Sequence, residues 1–216
     1  MSVVAAHPPK TRQQAKRHFD LLASLVLLIL VVPVFGMIAL LIAVFDPGPV
    51  FFRHERIGRR GIPFGCLKFR TMRPDADEIL AALLARDSKA RAEWMSRRKL
   101  RSDPRVTPLG RVLRRTSLDE LPQLINVLRG EMSLVGPRPV TQRELEEFYD
   151  PAGAVPIYLS LRPGITGSWQ ISGRSDTDYR NRIALDVHYG RNLSLRRDVA
   201  ILARTIVAVV RRSGAH

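Results

Sequence analysis

The sequence predicts an α+β protein, mostly helical, with a small antiparallel β-hairpin and an N-terminal helix that enters a membrane. Three observations carry that prediction. Leu21 to Phe45 contains no charged residue and has Ser24 as its single hydroxyl. Short β-type runs flank a glycine loop at Gly58 to Gly61. Apolar residues recur at helical spacing in the segments around Ile79, Leu124 and Leu202.

The apolar run is long enough to span a bilayer, which takes roughly 20 residues. It lacks a small-residue cleavage site before Asp46, which argues against a signal peptide. Uniform Leu, Ile and Val all round the helix argues against a buried core helix. Pro33 sits in the middle with Gly36 close behind, and both flanks are basic: Lys10, Arg12, Lys16 and Arg17 before, Arg53, Arg56, Arg59 and Arg60 after. Charge bias cannot orient such a segment, and keeping both ends on the cytoplasmic side is the natural solution. The expectation is a helix broken at Pro33 that enters one leaflet and returns. A tail at 1–15, a re-entrant anchor at 16–46 and a cytoplasmic catalytic domain at 47–216 follow.

Asp46-Pro-Gly-Pro49 is a turn. Val50 to Arg53 and Pro63 to Arg70 read as strands of a hairpin, with Lys68 and Arg70 emerging on one face. Asp75 to Arg101 reads as a charge-rich helical stretch with Ile79, Leu80, Leu83 and Leu84 as its apolar side. The terminal segment Leu195 to Val210 places Leu195, Val199, Leu202, Ile206 and Val209 on one face, ringed by Arg196, Arg197, Arg204, Arg211 and Arg212. That pattern suits a core helix or one lying on an anionic membrane surface.

The densest chemistry lies between Thr116 and Pro139. Asp119 and Glu120 form an adjacent carboxylate pair, preceded by Arg111, Arg114 and Arg115 and followed by the rigid Gly136-Pro-Arg-Pro139 with Arg138. Ser117 to Glu120 has the form of a capping box, but Pro122 would then lose a backbone hydrogen bond inside the helix. With Asp119 as N-cap, Pro122 falls in the first turn, and Leu121, Leu124, Ile125 and Leu128 form the buried stripe. Carboxylates at a helix start are expected to stay ionised. An ionised pair among guanidiniums suits a metal-assisted reaction on a phosphate.

The 216 residues carry an excess of 15 positive charges, and 30 of the 35 basic residues are arginine. Such a chain seeks polyanions: nucleic acid, an anionic membrane or phosphorylated substrates. A single cysteine, Cys66, excludes a disulfide framework and a cysteine-based zinc site. No aromatic-interleaved basic stretch of the base-stacking kind is present, so nucleic acid is not the expected partner. Asp75-Ala-Asp77 and Asp176-Thr-Asp178 resemble the D-x-D triplets with which many nucleotide-sugar transferases hold a metal, though such triplets are frequent by chance. The Arg162 to Gly167 loop is glycine-rich and polar, suited to holding an anion on backbone N–H groups.

Taken in order, Lys16-Arg-His-Phe-Asp20, the Pro33-interrupted apolar run, Asp46-Pro-Gly-Pro49, Lys68-Phe-Arg-Thr-Met72, Ser117-Leu-Asp-Glu-Leu121, Gly136-Pro-Arg-Pro139 and Arg162-Pro-Gly-Ile-Thr-Gly167 form a set. The set closely resembles the bacterial sugar transferase family, the monotopic polyprenyl-phosphate hexose-1-phosphate transferases, from about Lys16 to the C-terminus. The closing stretch from Tyr179 is similar to the galactose and glucose phosphate transferases that initiate exopolysaccharide synthesis.

The resemblance implies transfer of a hexose-1-phosphate from a UDP-sugar to undecaprenyl phosphate with release of UMP, at the cytoplasmic face of the inner membrane. It implies Asp119 as nucleophile and Mg²⁺ contact, with Glu120 assisting. Lys68, Arg111, Arg138 and Arg162 are the candidate phosphate-binding cations. Anionic membrane lipid is an expected partner, and the sequence is compatible with a homo-oligomer. Which sugar is moved is not legible. Two other readings stand beside this one: a membrane-attached nucleic-acid-binding protein, and a direct glycosyltransferase that uses a D-x-D triplet and releases UDP.

Overall fold

The computed structural model describes residues 10–97, 99–172 and 179–210. Helix α1 (Lys10–Phe45) comes first, followed by a hairpin of β1 (Phe51–Ile57) and β2 (Pro63–Phe69). Helices α2 (Ala76–Arg86), α3 (Ser88–Arg97), α4 (Pro108–Thr116) and α5 (Gln123–Arg129) lead to β3 (Ser133–Val135). Then come α6 (Gln142–Glu144), which runs into a π-helical turn at Leu145–Tyr149, α7 (Val155–Ser160) and β4 (Gly164–Thr166). Helices α8 (Tyr179–Arg191) and α9 (Leu195–Val210) close the described chain.

The expected break at Pro33 is not found. Helical backbone continues through Pro33 and Gly36 to Phe45. Proline withholds one hydrogen bond and bends a helix, and the backbone here stays helical on both sides of it. The helix also begins before Lys16, at Lys10.

One stripe of α1 is turned inward along its whole length: Lys16, Asp20, Ser24, Ile38 and Ile42 are buried. Its N-terminal half is fastened by polar contacts. Lys16 Nζ donates to Asp198 of α9 at 2.8 Å, and Asp20 accepts from Ser133 Oγ at 2.7 Å and the Leu134 amide at 3.2 Å. Arg17 donates to the Val127 and Leu128 carbonyls at the end of α5. The C-terminal half is fastened by packing, with Ile38 and Ile42 against Phe69 and Leu113. The remaining faces are apolar and uncovered, as at Leu22, Ile29, Leu30, Met37 and Phe45.

The hairpin is antiparallel, with Phe51 opposite Phe69 and Ile57 opposite Pro63, so β1 is longer than the expected Val50 to Arg53. At its tip Arg60 takes the left-handed conformation at φ 63°. Successive side chains of β2 point to opposite faces. Phe64 and Cys66 pack on Val127 and Met132, while Phe69 packs on α1 and α4. The free edge of β2 is completed by a side chain: buried Asn126 of α5 accepts from the Leu67 amide at 2.9 Å and donates to the Gly65 carbonyl at 2.8 Å.

The anticipated shared face of Lys68 and Arg70 is not realised. Arg70 lies past the end of β2, is buried, and donates to the Asp46 and Pro47 carbonyls of the turn after α1. The stretch Asp75 to Arg101 is two helices rather than one. Extended backbone at Asp87 ends α2, and its carboxylate accepts from the amides of Lys89 and Ala90 to start α3.

A second sheet, not anticipated from the sequence, pairs β3 with β4 in parallel, Ser133 opposite Gly164 and Val135 opposite Thr166. It brings Gly136 and Gly164 so close that a Cβ on Gly164 would overlap the Gly136 amide. This contact fixes the start of the Gly136 to Pro139 turn. On α9, Asp198 and Ile201 face inward, while Leu195, Val199 and Ile206 of the anticipated apolar stripe are exposed and Leu202 is half-buried.

Candidate functional site

Helix α4 ends at Ser117, whose left-handed backbone (φ 58°) turns the chain sharply. A single 3-10 turn, Leu118–Glu120, follows, and α5 begins only after Pro122. Asp119 is therefore not the N-cap of α5. The tight turn drives its side chain inward, leaving it 8% exposed. The stripe of α5 differs as well: Gln123, Leu124, Asn126 and Val127 are buried, whereas Leu121, Ile125 and Leu128 are half-covered.

Lys68 reaches this turn from β2. Its Nζ lies 2.6 Å from Glu120 Oε1 and 3.7 Å from Asp119 Oδ2. Burial pushes the Asp119 carboxyl above the usual range; Lys68 and Arg114 oppose that rise, and neighbouring Glu120 adds to it. The lowering expected of a helix start is outweighed by desolvation, because this carboxyl lies in a buried turn rather than at a solvated cap.

Lys68 and Glu120 line an open cleft of ≈ 320 Å³ together with Arg56, Gln123, Arg138 and Gln170. Arg138 is held in place by its turn and by the Trp169 ring, 5.3 Å from its guanidinium carbon. Arg56 is oriented by Glu144 at 2.9 Å. Cys66 also faces the cleft, but burial pushes its thiol up to about 11, so it stays protonated and is no nucleophile at neutral pH.

Three of the expected residues, Glu120, Lys68 and Arg138, thus line this cleft, and buried Asp119 lies just behind it, within 3.7 Å of Lys68 Nζ. Two do not. Arg111 is exposed on α4 and makes no described contact with the carboxylate pair. Arg162 donates from Nε to the Gly130 carbonyl at 2.8 Å and faces a different cavity. In their place come Arg56 and Arg114. Arg114 sits in the field of Asp119, with Nε bonded to Thr71 Oγ1 at 2.8 Å. The run Arg111, Arg114, Arg115 was the signal for Arg114; which of the three reaches Thr71 and the field of Asp119 depends on where α4 ends.

Among the described residues no group of three or more His, Cys, Asp or Glu side chains converges as a metal cage. Asp119 and Glu120 offer two carboxylates side by side, a donor set that fits Mg²⁺ completing its oxygen shell with substrate phosphates and water. Asp75 is bound to Arg73 on the surface at 3.1 Å. Asp176 and Asp178 lie outside the described residues.

A family model described as bacterial sugar transferase matches residues 11–212. The exopolysaccharide production protein ExoY of Rhizobium meliloti is 52% identical over 202 residues, covering 94% of this chain and 88% of that protein. The undecaprenyl-phosphate galactose phosphotransferase of Salmonella typhimurium is 50% identical, covering 93% of this chain but 41% of its own. The UDP-glucose:undecaprenyl-phosphate glucose-1-phosphate transferase of Caulobacter vibrioides is 40% identical, covering 93% and 72%.

Proposed function

The chain belongs to the bacterial sugar transferase family, and on that footing we propose that it moves a hexose-1-phosphate from a UDP-sugar to undecaprenyl phosphate, releasing UMP and initiating exopolysaccharide synthesis. The observation that carries the reading is the buried Asp119 beside Glu120 and Lys68, which line a cleft edged by Arg138 and Arg56.

A carboxylate attacks phosphorus well when cations offset its repulsion from the diphosphate. An Asp119 oxygen bonds to the sugar-bearing phosphorus, and the bond from that phosphorus to the bridging oxygen breaks. UMP leaves with the electron pair. An oxygen of undecaprenyl phosphate then attacks the same phosphorus, the bond to Asp119 breaks, and the carboxylate is restored. Lys68 holds Glu120 and Asp119 in register, while Arg138 and Arg56 bind phosphate oxygens. Asp119, with Glu120 beside it, would hold Mg²⁺, which would supply charge neutralisation at the diphosphate.

The anchor fits a chemistry that joins a soluble donor to a lipid acceptor. Both halves of α1 rest against the same domain, Lys16 on Asp198 at one end and Ile42 on Phe69 and Leu113 at the other. A helix crossing the bilayer upright would carry one of these ends to the far side. Contact at both ends supports the one-leaflet path, with the catalytic domain on the cytoplasmic face of the inner membrane. The exposed apolar stripe of α9, with Arg196 and Arg204 at its borders, supports a second contact with anionic lipid.

The test is the released nucleotide. UMP freed from a UDP-sugar before any undecaprenyl phosphate is added, with an adduct mapping to Asp119, is the expected result. UDP as product would remove the reading.

A further inference from the structure

A second pocket, open to solvent and of ≈ 330 Å³ counting the solvent at its mouth, shares none of its described lining residues with the cleft. Four cations face it: Lys16 and Arg17 from α1, Arg59 from the hairpin tip, and Arg162 from the loop before β4. Among the described residues, the one carboxylate that lines it, Asp20, is already committed to Ser133, the Leu134 amide and Lys16. Lys16 is committed in turn to Asp198.

The arginines keep donors in reserve. Arg17 spends its terminal nitrogens on the Val127 and Leu128 carbonyls, and Arg162 spends only Nε, on Gly130. Among the described residues, the terminal nitrogens of Arg162 and the whole Arg59 guanidinium make no hydrogen bond or ion pair. Burial, and then the nearby charges of Arg59 and Arg17, disfavour the Arg162 cation. Three guanidiniums gathered at one cavity without a free carboxylate repel one another, and an anion between them relieves that repulsion.

We propose that this cavity is a phosphate-binding site distinct from the reaction cleft, with Arg59 and Arg162 as its principal ligands. Planar guanidiniums from separate elements suit a tetrahedral oxyanion, which takes two-pronged contacts from each. The cavity is lined by Gln13, Lys16, Arg17 and Asp20, the last polar turns before the apolar run begins at Leu21. On the membrane reading of α1, that is the depth of lipid headgroups. The phosphate can therefore belong to a phospholipid or be free in solution. Bound there, it would join α1, the hairpin tip and the β4 loop.

The full-length protein in neutral detergent provides the test, with thermal unfolding as the readout and no dependence on turnover. One arm adds inorganic phosphate against chloride at equal ionic strength. The other adds dihexanoylphosphatidylglycerol against dihexanoylglycerol, its phosphate-free counterpart. The expected result is a midpoint raised by about 3 °C or more in at least one arm, with most of the rise lost in Arg59→Glu and part of it in Arg59→Gln. A rise in both arms identifies phosphate as such; a rise with the lipid alone identifies a headgroup site. No rise in either arm overturns the proposal, as does an equal rise in the wild type and Arg59→Glu.

Discussion

Lys68 stands closer to Glu120 than to Asp119, 2.6 Å against 3.7 Å. The cation that enters the cleft is thus hydrogen-bonded to the assisting acid, while the buried acid receives it at longer range. Glu120 gains a fixed partner, and Asp119 is left without a direct hydrogen bond from this cation.

Replacing Asp119 with Asn should lower turnover by about 10⁴-fold or more without loss of fold. The folded state holds this carboxyl above its unfolded pKa, so the ionised form costs stability once the pH has risen through that interval. Asn removes the cost. The thermal midpoint at neutral pH should be equal to the wild type or higher, and a lower midpoint would contradict the inward burial of this group.

Activity should fall as the pH drops through the raised pKa of Asp119, because the protonated acid is no nucleophile. Lys68 opposes that rise. In Lys68→Met the acidic limb of residual UMP release should move to higher pH, on top of a lower plateau. An unmoved limb in a pH–rate profile would assign it to another group.

Asn126→Leu should destabilise the protein by about 1–3 kcal/mol, the cost of two half-buried backbone groups losing their partners. The groups are the Leu67 amide and the Gly65 carbonyl, one residue and three residues before Lys68. Activity should fall further than stability accounts for, since the strand that aims Lys68 loses its outer support. Thermal unfolding and UMP release on the same preparation separate the two effects.

Pro33→Leu should restore the missing backbone bond, straighten α1 and favour a spanning path. Cysteine labelling from each side of the membrane reads this out: residues before Lys16 should gain periplasmic access in the variant while sites near Lys68 stay protected. If the wild type already shows that access, the one-leaflet path is wrong.

Local signals carried much of this architecture. An uncharged run, alternation around a glycine loop and a charged pair beside Pro122 were readable because each depends on neighbours in the chain. The parallel pairing of β3 and β4 was not readable. Each strand is three residues long, and the two are brought together by a glycine contact between Gly136 and Gly164 that no period announces. Arg162 was misplaced for a related reason. Its motif looks like an anion loop, but only the tertiary fold decides that it faces Arg59 rather than Lys68. Asn126 gave no signal, since one buried amide standing in for a missing strand leaves no pattern in the residues around it.

The tie between Lys16 and Asp198 joins positions 182 residues apart. A ribosome finishes α1 long before it reaches α9, so on the membrane reading of this helix it would meet lipid while its last fastening does not yet exist. Arg17 and Asp20 find their partners on α5 and β3 earlier in synthesis. On that reading the insertion path would be chosen by α1 itself and by cations already translated, and α9 would lock a choice made without it.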